Sequence, residues 1–92
     1  MNRQQFGQFA MALKTYYPKE NILPNNQAME LWFNQLGDLN YMIAQEVLNN
    51  WVRKSKWSPS IAEILKEARG IEIEHKLLEI QENQFLLEDK EA

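Results

Sequence analysis

The 92-residue chain has no cysteine, which excludes disulfides, thiolate metal sites and cysteine nucleophiles. Its single histidine, His75, leaves too few strong ligands for a structural zinc site. Glycine is scarce and scattered: Gly7, Gly37 and Gly70 stand alone, so neither a G-x-x-x-x-G-K-S/T loop nor a G-x-G-x-x-G turn exists to cradle a phosphate. H-E-x-x-H and a carboxylate-rich calcium loop are missing too. No apolar run approaches the ~18 residues of a membrane helix, and no signal-peptide pattern opens the sequence. The expectation is a small domain of a reducing compartment with no catalytic residue, no cofactor, no metal and no membrane partner.

What is present is ordinary for a globular chain, with 45% hydrophobic and 25% charged residues, and the length suits one domain. The net charge of −3 conceals a split. Residues 1–70 carry eight Lys/Arg (Arg3, Lys14, Lys19, Arg53, Lys54, Lys56, Lys66, Arg69) against six acids, a net of +2. Residues 71–92 carry seven acids against Lys76 and Lys90, a net of −5. An acidic chain lacks the field that gathers proteins on phosphate backbones, so direct nucleic-acid binding is disfavoured. The split predicts a helical body, 1–70, followed by an acidic arm, 71–92.

The apolar periodicity is helical nearly everywhere. Phe6, Phe9, Ala10, Leu13 and Tyr16 or Tyr17 form the stripe of a first helix that Pro18 stops. Lys19 to Asn25 reads as a connector, with Asn25 or Asn26 capping a second helix whose stripe is Met29, Trp32, Phe33 and Leu36. Gly37 is expected to end it in a left-handed conformation. Asp38 or Asn40 caps a third helix, with Ala44, Val47, Leu48 and Trp51 as its stripe, running to about Lys54. The fourth helix starts either at a Ser58 cap with Pro59 in first position or at a Ser60/Glu63 capping box. Ile61, Ile64, Leu65 and Ala68 form its buried side, and Arg69-Gly70 can close it. After Gly70, Ile73, Leu77, Ile80, Gln84 and Leu87 continue at heptad-like spacing, widened by Leu78 and Phe85. The fold expected is all-α: a compact bundle of about four short helices followed by a longer C-terminal amphipathic helix.

The arm's strip is long for so small a body. It either folds back on the bundle or meets another chain, and an acidic amphipathic terminal helix favours the second outcome. The candidate contact residues are Ile73, Leu77, Ile80, Phe85 and Leu87, with Glu72, Glu79 and Glu82 steering toward a basic patch. A secondary surface is offered by Arg53, Lys54, Lys56 and Trp57, where cations beside an aromatic could touch a single strand. Its simpler reading is charge placed at a helix exit; Trp57 either plugs the junction of helices three and four, the favoured outcome, or stands exposed as an anchor for a partner. Trp32, Phe33 and Trp51 read as core. His75 and Glu79, one turn apart, could hold a metal, but two ligands rarely make a site, and a solvated histidine is the simpler reading.

Three blocks occur in order: Leu13-Lys14-Thr15-Tyr16-Tyr17-Pro18, then Glu30-Leu31-Trp32-Phe33-Asn34-Gln35-Leu36-Gly37-Asp38-Leu39, then Lys56-Trp57-Ser58-Pro59-Ser60-Ile61-Ala62-Glu63-Ile64. Together they resemble the bacteriophage replicative-helicase loader/inhibitor family, over about residues 6–68. The resemblance implies a compact all-helical N-terminal domain with a flexible C-terminal region and no enzymatic activity, at work in the bacterial host cytoplasm. It also implies two partners: a hexameric, ring-shaped replicative helicase, held inactive, and the origin-binding initiator protein through which the helicase is delivered. In this family the helicase contact falls mainly in the C-terminal region, here the arm from Ile71 onward. The alternatives are a small DNA-binding module using the fourth helix (Ser60, Glu63, Lys66, Glu67), or a dimeric adaptor that self-associates through the C-terminal helix.

Overall fold

The computed structural model describes the backbone of residues 1–91 and the side chains of residues 1–79. Four helices make up the fold: α1 (Arg3–Tyr16), α2 (Asn26–Leu36), α3 (Tyr41–Lys54) and α4 (Ile61–Glu91), with no strand among the described residues. Each start is fixed by a side-chain cap that satisfies otherwise orphaned N–H groups. Asn2 accepts from the Gln5 N–H while the Gln5 side chain accepts from the Asn2 N–H, a reciprocal capping box. Asn25 accepts from the Ala28 N–H, and Asn40 from the N–H groups of Met42 and Ile43. At α4 the capping box is the Ser60/Glu63 pair: the Ser60 N–H donates to Glu63 Oε1 at 2.9 Å, and the Glu63 N–H donates to Ser60 Oγ at 3.2 Å.

The backbones pack in the order α1–α2–α4–α3 around the bundle, with α1 opposite α4. Their inward stripes form one core of Phe6, Phe9, Ala10, Leu13, Tyr17, Leu23, Leu36, Ile43, Ala44, Val47, Leu48, Ile64, Ala68 and Ile71. Burying a side chain of Leu, Ile or Phe size contributes about 1.5–3 kcal/mol, so these few residues carry most of the fold's stability. Trp32, Phe33 and Trp51 pack against this core but stay half-buried at its rim. Phe33 meets Phe6 edge-on, with ring centroids 5.4 Å apart. Tyr17 ties two helix ends together, its hydroxyl donating to the Ser55 carbonyl at 2.9 Å. Burial, and then the nearby Glu20 carboxylate, hold that hydroxyl's pKa above its ordinary value.

Three local features depart from the sequence expectation. Gly37 caps α2 in a right-handed conformation, φ −61° and ψ −24°, instead of a left-handed one. Glycine is needed there for close approach, because a Cβ would stand 2.9 Å from the Phe33 carbonyl oxygen. Leu23, in the connector, is the left-handed residue, with φ 52° and a side chain only 3% exposed. That backbone conformation costs about 1–2 kcal/mol for an L-residue, and burial of the side chain offsets it. Gly70 does not close a helix. The fourth and fifth helices expected from the sequence are one 31-residue helix, about 45 Å long, and burial along it extends to Ile71.

Candidate partner-binding surfaces

The arm's surface follows from the phase of α4. Its inward side is set by Ile64, Ala68 and Ile71, spaced four and three residues apart and each no more than 6% exposed. Ile73 lies nine residues after Ile64, and nine steps of about 100° carry it to the opposite side of the helix. Leu77 falls next to it one turn on. Accordingly Ile73 and Leu77 are 52% and 54% exposed, while the helix that carries them is anchored in the core. The expected strip therefore does not fold back on the bundle over its described part. Glu72 and Glu79 are exposed as well, but they lie about 120° and 140° around the helix from the strip's centre, both on one side and nearer the core-facing side than the strip. Ile80, Glu82, Phe85 and Leu87 lie outside the residues whose side chains are described.

Two side-chain contacts give the register of α3 against α4. Lys54 pairs with Glu67, and Glu46 faces His75 at 3.4 Å, so eight residues back along α3 correspond to eight forward along α4. The helices are antiparallel, and Met42, at the start of α3, is level with Glu79. Beyond that level α3 offers α4 no further backbone. His75 faces Glu46 across the helix pair, and no group of three or more metal-ligating side chains forms among the described residues.

The basic set near Trp57 is split by the structure. Lys54 turns to Glu67 and to the Trp51 ring, with Nζ 5.2 Å from the ring centroid, and Arg53 is exposed. Lys56 stays with Trp57, its Nζ 5.5 Å from that ring's centroid. Trp57 does not plug the α3–α4 junction: its side chain is mostly in solvent, 63% exposed. Its backbone is nonetheless held. The Trp57 carbonyl accepts from Trp51 Nε1 at 2.7 Å and from Ser55 Oγ at 3.1 Å, and the Trp57 N–H donates to Ser55 Oγ at 3.1 Å. The next N–H, of Ser58, donates to Glu20 Oε2 at 2.7 Å, and Pro59 is buried behind it. Sequence reasoning missed Tyr16, Pro18, Lys19 and Glu20 as neighbours of this loop. Only the aromatic pair Tyr16-Tyr17 before Pro18 hinted at them, because the approach of α1's end to the α3–α4 turn is a long-range contact.

On the outer side of α1 and α2, the Arg3 guanidinium pairs with both Glu30 oxygens and lies 5.2 Å from the Phe33 ring centroid. The hydrogen bond and charge of Glu30 raise the Arg3 pKa, and the bond from Arg3 lowers that of Glu30.

A four-helix bundle whose last helix outruns it and carries exposed apolar residues on its outer side defines an all-α domain. The chain belongs to the phage helicase loader/inhibitor family: residues 1–65 match the family model of that loader's N-terminal domain. Comparison with curated proteins and with solved structures yields no match. The matched span takes in α1, α2, α3 and the first residues of α4, so Ile73 and Leu77 lie beyond it. The family's role is that of an accessory to a helicase, which is not itself an enzymatic one.

Proposed function

We propose that this protein binds a phage's ring-shaped replicative helicase through the outer strip of α4, holds it inactive, and hands it to an origin through the initiator protein. The observation that carries the reading is the exposure of Ile73 and Leu77 on the side of α4 opposite its own core. Membership in the loader/inhibitor family supports the choice of partner. The body expected over residues 1–70 takes in the buried Ile71 as well, and the arm in this reading runs from residue 72. With no ATP chemistry of its own, such a loader acts by differential binding, preferring one helicase conformation over another. An apolar helix lodged between ring subunits favours the arrangement it fits, and the initiator releases it by competing for overlapping surface. Ile73 and Leu77, continued in sequence by Ile80, Phe85 and Leu87, supply the apolar contact, while the arm's surplus of acids as a whole, and not Glu72, Glu79 or Glu82 at the strip's edge, favours a basic partner.

The test is inhibition of the helicase's DNA-stimulated ATPase by the full chain and by a variant carrying Ile73→Glu and Leu77→Glu. Wild type is expected to inhibit at stoichiometric ratio, and the variant to lose at least tenfold in potency while keeping its helical circular dichroism. Equal potency of the two proteins removes the strip from this role. The same strip also suits pairing of two copies. Sedimentation of the free chain separates the readings, since a dimer dissolved by the same double substitution, without helicase binding by wild type, assigns the strip to self-association.

A further inference from the structure

The pole of the bundle from which α4 begins carries a second surface, formed where the end of α1 meets the α3–α4 turn. A cleft of about 240 Å³ opens there, walled by Tyr16, Pro18 and Trp57, floored by the buried Tyr17, and rimmed by Lys19 and Lys56. We propose that this cleft docks an acidic protein segment anchored by one aromatic or bulky apolar side chain, a contact separate from the arm.

Three observations carry this. Trp57 and Tyr16 are 63% and 51% exposed and line the same cleft, and large apolar groups grouped on a surface mark an interaction site. The loop beneath Trp57 is already fixed by its bonds to Trp51, Ser55 and, through Ser58, Glu20. A partner therefore meets a preorganised anchor site and loses little affinity to ordering the loop.

Charge supplies the third. Five of the ten Lys/Arg residues, Lys14, Lys19, Arg53, Lys54 and Lys56, fall at this end of α1 and α3 in a chain whose net charge is −3. Lys54 is taken by Glu67, and the Glu20 carboxylate already accepts from the Ser58 N–H. Lys19 and Lys56 stay at the rim and favour an acidic ligand.

Size and shape argue against the other occupants. The volume lies below the roughly 300–1,000 Å³ of small-molecule sites and suits a single side chain. Single-stranded nucleic acid would call for a track of cations with successive stacking rings, and here two lysines and two rings are grouped in one place, with an acid beside them.

The experiment is fluorescence polarisation of the full chain with a fluorescein-labelled peptide of Glu and Asp around a central Trp-Leu pair. Controls are a matched peptide with Lys at every acidic position and a dT oligonucleotide of the same length. Saturable binding of the acidic peptide is expected, weakened at least tenfold by Trp57→Ala and, separately, by Lys19→Glu with Lys56→Glu, with no saturation by the lysine peptide. Because Trp57 is exposed and its loop is held by backbone bonds, each variant is expected to keep wild-type circular dichroism, and Trp57→Phe to recover part of the affinity. The proposal is overturned by absence of saturable peptide binding, by indifference to both sets of substitutions, or by tighter Trp57-dependent binding of the oligonucleotide. Ile73→Glu with Leu77→Glu leaves this binding unchanged, so the outcome is independent of the helicase test.

Discussion

The two halves of α4 share one uninterrupted helix and one helical period, yet the second half turns Ile73 and Leu77 away from the side that the first half buries. Leu78, which keeps the core-side phase, is 58% exposed. Up to Ile71 the stripe of Ile64, Ala68 and Ile71 belongs to the core; from Ile73 the stripe of Ile73 and Leu77 faces away from it. Averaged over the helix the two stripes nearly cancel. Amphipathicity measured over the whole element would therefore miss both the anchor and the display surface. Phase relative to the core, and not period, tells which residues stabilise the fold and which are free for a partner.

Stability measurements break this comparison if it is wrong. The largest effect expected is from Ile64→Ala, which leaves a cavity at a fully buried site and should cost about 2–4 kcal/mol in urea unfolding. Leu77→Ala, an equal truncation on the outer side, should stay within about 0.5 kcal/mol of wild type. Similar losses at the two positions would mean that the outer strip packs on the protein's own core.

Next in size is Tyr17→Phe, which leaves the Ser55 carbonyl without its donor and should cost about 1 kcal/mol. The raised Tyr17 pKa adds a sign. The neutral phenol is favoured in the folded state, so its contribution is complete below the unfolded tyrosine pKa of about 10 and is lost as pH rises through the folded value. Stability followed from neutral to strongly alkaline pH should fall less steeply for Tyr17→Phe than for wild type.

A gain is expected where the two halves of α4 join. Gly70 sits inside the helix with open space around the position of a Cβ, so Gly70→Ala should stabilise by about 0.5–1 kcal/mol and raise the helical signal at 222 nm. A loss would mean that the junction uses glycine's freedom. The smallest effect concerns the Arg3–Glu30 pair, exposed and screened. Because the Glu30 pKa is lowered on folding, its contribution is present above the unfolded carboxylate range and disappears as pH falls through the folded value. Glu30→Gln should slightly flatten the acid limb of a thermal melt and do nothing at high salt.

Much of this was legible before the structure. The stripes of α1 and α3 can be read residue by residue, and the caps at Asn25, Asn40 and Ser60 are among those the sequence offers, because capping and apolar period are local physics. The continuity of α4 was not legible. Gly70 disfavours a helix by about 1 kcal/mol, and packing of Ala68 and Ile71 on either side outweighs that. Treating Gly70 as a break also hides the phase of the strip, since counting from Ile64 to Ile73 has meaning only along one helix. The left-handed Leu23, and the choice between a plugged and an exposed Trp57, escape a sequence reading for a different reason. A left-handed leucine and an exposed tryptophan both depend on contacts from distant segments, which no local pattern records.

Amide hydrogen exchange along α4, read in the free protein and again with the helicase bound, tests the central claim most directly. The amides of residues 61–71 should be protected in both states, and those of residues 72–79 should exchange readily alone and become protected in the complex. Protection of 72–79 equal to that of 61–71 in the free monomer, or no change there on adding helicase, would contradict the assignment of the outer strip to a partner.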